Sequence, residues 1–135
     1  METKHLFGTL GTLPNDGVYP AGITKKIVFG PNHHASGENF VVRAYSFGPG
    51  MGPKLPHEHP WCHWSFVQSG EAVVSIDGND QVVPAGGWFH IPGGVPHTVY
   101  NNSPSEPMVF LCIVHPEGDV NPPVAAPVEK DKSFC

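Results

Sequence analysis

The strongest constraint on this chain is where its glycines and prolines fall. Gly and Pro number 16 each in 135 residues, about twice ordinary usage, and they cut the apolar sequence into pieces too short for helices. "NFVVRAYSF" (39–47) is closed by "GPGMGP" (48–53), and "MVFLCIV" (108–114) is a short, fully apolar run. Between them, "HWSFVQSGEAVVSIDGNDQVV" (63–83) breaks at Ser69-Gly70 and turns again at "DGND". "GWFHIPGGVPHTVYN" (87–101) gives two further runs across "PGGVP", and "KKIVFG" (25–30) adds one near the front. The β-branched and aromatic content of these runs is that of strands. No segment carries the i, i+3, i+4 spacing of a long amphipathic helix. Many short strands joined by turn residues point to an all-β sandwich or barrel.

A length of 135 residues fits one domain, and no internal repeat suggests a second barrel. The reading is an N-terminal arm over 1–22, with at most one edge strand, a barrel over about 23–115, and a Pro-rich C-terminal tail over 116–135. A net charge of -5 with only 7 Lys and Arg argues against a nucleic-acid-binding face. No apolar run approaches the ~18 residues that cross a membrane. The start, "METKHLFGTLGTL", lacks the basic cluster and apolar stretch of a signal peptide. Three cysteines without a CxxC make no disulfide framework. A cytoplasmic location is therefore expected.

Nine histidines exceed what packing requires, and they cluster. In "PHEHPWCHW" (56–64), His57, His59 and His63 all fall at odd positions. An extended strand would send all three to one face, with Pro60 as a local interruption. A single such histidine would read as a surface residue on an edge strand. Three on one face, with His97 in a separate Gly-Pro frame, read as a metal site. Neutral imidazole nitrogens suit Zn, Cu, Fe and Ni, and also accept Mn.

The two histidine segments resemble the paired motifs of the cupin family. Gly86, Pro92, Gly94, His97 and Asn101 meet every position of the family's second motif. His57, His59 and Gly70 meet the first, whereas the upstream glycine is displaced by one: Gly52 and Gly50 flank the expected place. Where the first motif has a glutamate ligand, this chain has His63 at the correct spacing. The likeness spans roughly residues 38–115, and "FVVRAYSFGPG" and "MVFLCIV" also resemble small one-barrel cupins with a four-histidine site, some of which use manganese. The resemblance implies a single double-stranded β-helix, or jelly-roll, barrel. It further implies one divalent ion on His57, His59, His63 and His97, with Mn or Fe favoured and Ni, Cu or Zn possible. A homodimer is the family-based expectation.

Four neutral imidazoles leave a divalent ion its full +2 charge, whereas a glutamate would reduce it to +1. The higher charge acidifies bound water and favours anionic ligands. Carboxylates are scarce: Glu58 falls out of phase with the histidines, and Glu71, Asp77 and Asp80 belong to turns. His90, Tyr45 and Arg43 remain as candidate catalytic groups, each with a plain strand-surface alternative. Trp61, Phe110 and Cys112 are candidate pocket-lining residues, the last two by resemblance, and burial elsewhere in the core is the competing reading. His33-His34 reads as a solvated pair in a polar loop, and Cys62 and Cys135 as non-catalytic. The leading expectation is a metal-dependent oxidoreductase of dioxygenase type acting on a small organic molecule. A non-redox lyase or isomerase that stabilises an enolate, a non-catalytic binding module and a structural zinc site are the alternatives.

Overall fold

The computed structural model describes residues 7–31 and 38–120. His33, His34, Cys135 and the tail from 121 onward lie outside the described residues. Among the described residues, eight antiparallel strands follow one another: β1 (Ile23–Phe29), β2 (Val41–Phe47), β3 (His63–Ser69), β4 (Glu71–Ile76), β5 (Asn79–Pro84), β6 (Trp88–Ile91), β7 (His97–Tyr100) and β8 (Met108–Val114). They form a five-stranded sheet in the order β1-β2-β8-β3-β6 and a three-stranded sheet in the order β5-β4-β7. The result is an all-β sandwich, as the short, punctuated runs predict, and the jelly roll that the family resemblance implies. The arm carries no strand among its described residues; it makes a short 3-10 turn at Leu10–Thr12 instead.

Alternation fixes which side chains enter the barrel. On β3 the odd positions His63, Ser65 and Val67 are buried, and Trp64 and Phe66 are exposed. On β8 the even positions Met108, Phe110, Cys112 and Val114 are buried. The pairing Tyr45↔Phe110↔Val67 therefore sets one interior row, and Arg43↔Cys112↔Ser65 sets the next. Phe110 is the hub of the apolar end. It stacks on Tyr45 at 5.3 Å between ring centroids and meets Phe47 edge-on at 5.4 Å. Such geometry adds to what area burial alone gives.

Two sites brace the segment that leads into the histidines. Gly52 has φ +117, and a Cβ there would meet the Tyr100 Cα at 2.8 Å and the Phe47 ring at 2.9 Å. The displaced glycine of the first motif is thus required by close approach. Asn101 is fully buried, and its amide donates to the carbonyls of Phe47, Gly48 and Glu106 at 2.8–3.1 Å. Its side-chain oxygen accepts from Ser103 N at 3.0 Å, and its backbone N–H donates to Met51 at 2.8 Å. One side chain so ties the β2–β3 loop to the end of β7.

Candidate metal centre

Only His63 of the "HEHPWCH" histidines lies in a regular strand. His57 and His59 sit in the β2–β3 loop, which the sequence reading took for an extended strand. Pro56, Pro60 and the glycines deny this segment a continuous ladder. It is held instead by an isolated antiparallel bridge: His57 N donates to His97 O at 3.0 Å and His97 N to His57 O at 2.9 Å. Gly94 N donates to His59 O at 2.7 Å. The two motifs are therefore stitched together through their own histidines.

Each ring is aimed by its chain. His59 Nδ1 lies 2.8 Å from Trp61 O, and His97 Nδ1 lies 2.8 Å from Val95 O. A carbonyl only accepts, so both Nδ1 atoms carry the proton and each Nε2 presents a lone pair, that of His97 toward His63 Nε2. The Trp61 indole lies flat on His59, at 4.4 Å and 8°. His57, His59 and His97 each place a ligating nitrogen within 4.8 Å of the others. His63 joins through His97, with the two Nε2 atoms 3.3 Å apart.

That separation is one that two ligands of a single ion can have. Two nitrogens bound at about 2.1 Å stand roughly 3.0 Å apart at a right angle and roughly 3.4 Å apart at a tetrahedral one. The observed 3.3 Å lies within this range. Burial also keeps the rings uncharged. It pushes His59 and His63 down to about 3 and His97 to about 4, and lowers His57 as well, with further lowering from charged or histidine neighbours. Neutral imidazoles with free lone pairs are the ligating form. The cluster can bind a metal ion.

Behind His63 runs a buried polar chain. Its Nδ1 lies 3.5 Å from Cys112 Sγ, which accepts from Arg43 Nη2 at 2.9 Å. Arg43 Nη1 lies 3.8 Å from Asp119, and Asp119 pairs with Lys25 Nζ at 2.6 Å. Lys25 is 0% exposed and also meets Asp16 of the arm at 3.0 Å. Burial works against the Arg43 charge, but Cys112, Tyr45 and Asp119 outweigh it and the guanidinium stays protonated. Tyr45 is raised, chiefly by burial, and keeps its phenolic proton. The sequence reading did not find Lys25 or Asp119, because nothing local links positions 94 residues apart.

The remaining candidates divide by face. Phe110 and Cys112 point inward, Cys112 against His63. His90 is exposed on the opposite face of β6; it stacks on Trp64 at 5.3 Å, and its Nδ1 lies 3.2 Å from the His63 carbonyl oxygen. The structure does not bring it to the cluster. Glu58 is exposed, as is His57 beside it. Cys62 is fully buried and disulfide-bonded, which an odd count of three gave no reason to expect.

The cupin domain model matches residues 45–114, more than half of the chain, and covers both histidine segments. The chain belongs to the cupin family. This cupin superposes on the polyketide cyclase RemF from Streptomyces resistomycificus with a TM-score of 0.70 at 21% identity, covering 92% of this chain and 87% of that one. It matches TT1209 from Thermus thermophilus with a TM-score of 0.64 at 26% identity, over 82% and 96% of the two chains. A sugar phosphate isomerase from Silicibacter pomeroyi matches with a TM-score of 0.66 at 20% identity, over 79% and 73%. No curated protein sequence matches the chain. No helix among the described residues is long and apolar enough to cross a membrane.

Proposed function

We propose that this cupin is a metal-dependent enzyme acting on a small organic molecule, with its ion held by His57, His59, His63 and His97. The observation that carries the reading is the cluster of His57, His59 and His97, whose ligating nitrogens lie within 4.8 Å of one another, with His63 Nε2 3.3 Å from His97 Nε2. The exposed His57 leaves the cluster open to solvent on one side. That openness favours a working site over a closed structural zinc site.

Within the reading, the reaction is an oxidation of dioxygenase type. A bound divalent ion would supply Lewis acidity and, for Mn or Fe, redox capacity. The chain's own residues do the rest. Trp61 and Val95 fix the tautomers of His59 and His97. The aromatic floor of Tyr45, Phe47 and Phe110 excludes water from the far end. The Arg43 guanidinium, its charge balanced by Asp119, donates to Cys112 Sγ and holds the sulfur beside His63.

A non-redox reaction on an enolate is the second reading, and the cyclase and isomerase among the structural relatives favour it. Metal analysis of protein purified without added metal, followed by oxygen-electrode assays on a panel of small enols and hydroxy acids, separates the two. Manganese or iron with oxygen uptake supports the oxidation. Zinc or nickel, with substrate turnover but no uptake, overturns it in favour of the second.

A further inference from the structure

The segment that follows β8 comes back onto the residues that carry the histidines. Its 3-10 turn, Pro116–Gly118, leads into Asp119, which pairs with Lys25 Nζ at 2.6 Å. Val120 then packs with Trp61, Val114, Ile27 and Val41. The approach at Gly118 is close: a Cβ there would lie 2.9 Å from the Trp61 ring and 2.6 Å from Val114. Trp61 is buried by these contacts, lies flat against His59 and accepts from His59 Nδ1 through its carbonyl. Directly after it come Cys62, fully buried and disulfide-bonded, and then His63.

We infer that Cys62 is bridged to Cys135, and that this bond braces the His59–His63 stretch and sets how tightly the histidines hold an ion. The partner follows by elimination. The sequence has three cysteines, and a disulfide needs a second sulfur. Cys112 is free; its sulfur accepts from Arg43 and lies beside His63. Cys135, which lies outside the described residues, is what remains. Reach permits the bond. Val120 already packs on Trp61, next to Cys62, so residues 121–134 have only to return near where they start. At ~3.3 Å per residue they can close a wide loop.

The coupling to an ion rests on the metal reading above; the bridge itself does not. Three attachments converge on a short stretch: Gly118 and Val120 against Trp61, the bond at Cys62, and the start of β3 at His63. Ligands held in place before an ion arrives lose less freedom on binding it, so affinity is higher with the bond than without it. Forming the bond takes one hydrogen from each thiol and passes two electrons to a disulfide oxidant of the glutathione class, which leaves as two thiols. Reduction runs the same exchange backwards. Such bonds persist in oxidising surroundings and open in reducing ones, so metal retention follows the thiol poise.

Peptide mapping of the full chain, digested without reductant after exposure to a glutathione redox pair, tests the bridge. A Cys62 peptide linked to a Cys135 peptide, and separated by a phosphine reductant, is expected; its absence overturns the proposal. Titration calorimetry with Mn2+ tests the coupling on oxidised wild type, phosphine-reduced wild type and oxidised Cys135→Ser, each checked by circular dichroism. The reduced protein and the variant are expected to bind Mn2+ about tenfold more weakly than the oxidised wild type. Cys135→Ser should also be indifferent to the reductant. Should the variant not fold, the two wild-type samples carry the comparison. Equal affinities with and without the bond overturn the coupling. No Mn2+ binding in any sample overturns it together with the metal reading, and the linked peptide tells that failure apart from failure of the bridge.

Discussion

The barrel buries polar groups in two neighbouring places and handles them in opposite ways. On the β1–β2 side, Lys25 and Arg43 are charged and are balanced by Asp16 and Asp119. At the mouth formed by the β2–β3 loop, β3 and β7, four imidazoles crowd together with centroids 4.5–6.0 Å apart where contacts are seen, and burial holds them neutral. Paired charges cost desolvation but satisfy one another. Clustered neutral lone pairs, which meet one another in the His63–His97 contact, are able to take a cation. The first arrangement stabilises the fold; the second can bind a metal ion. Cys112 joins them, touching Arg43 on one side and His63 on the other.

The largest effect expected from this contrast is on the charged side. Lys25→Ala leaves Asp119 and Asp16 without their buried partner and should destabilise the protein by about 3–5 kcal/mol. Chemical denaturation of the metal-free protein measures it. A loss as small as that of a surface pair would mean the cluster is wetter than the structure shows.

Next comes pH, and here the neutral side responds. In the metal-free protein His59, His63 and His97 stay uncharged down to about 3–4, whereas in the unfolded chain they take up protons below about 6.5. Their contribution is therefore complete above pH 6.5 and is lost as pH falls toward 4. Thermal melts of the metal-free protein should decline through that window. A variant with His59 and His97 replaced by Gln should decline less steeply.

The smallest effect falls on the link between the two regions. Cys112→Ala removes the sulfur beside His63 Nδ1 and should weaken metal binding by about tenfold, with the ligand set intact. Titration calorimetry with Mn2+ on wild type and variant reads this directly. An unchanged affinity would separate the charged cluster from the site.

The two regions were also unequally legible in the sequence. The neutral cluster could be read because its ligands sit in short motifs with fixed spacings, and because Gly-Pro frames announce the turns that carry them. Even there the mechanism differed. His57 and His59 converge through a loop bridged to His97, not through strand alternation. On β8 alternation says only that one of the pairs Phe110/Cys112 and Leu111/Ile113 faces inward, and the buried pair is Phe110 and Cys112, the one the resemblance favours. The charged cluster had no such announcement. Lys25 and Arg43 look like ordinary strand residues, and only the packing of the arm and the turn after β8 brings Asp16 and Asp119 to them. Asn101 was visible as a motif position, but its four side-chain hydrogen bonds belong to loops that sequence does not place.

The central claim is that four histidines, and not three, hold one divalent ion. Metal content after Mn2+ loading and desalting, compared across wild type, His57→Ala and His63→Ala, tests it most directly. The account predicts one ion per chain in the wild type and a clear loss in both variants. Full metal content in a folded His63→Ala protein, with the spectrum of the bound ion unchanged, would contradict it.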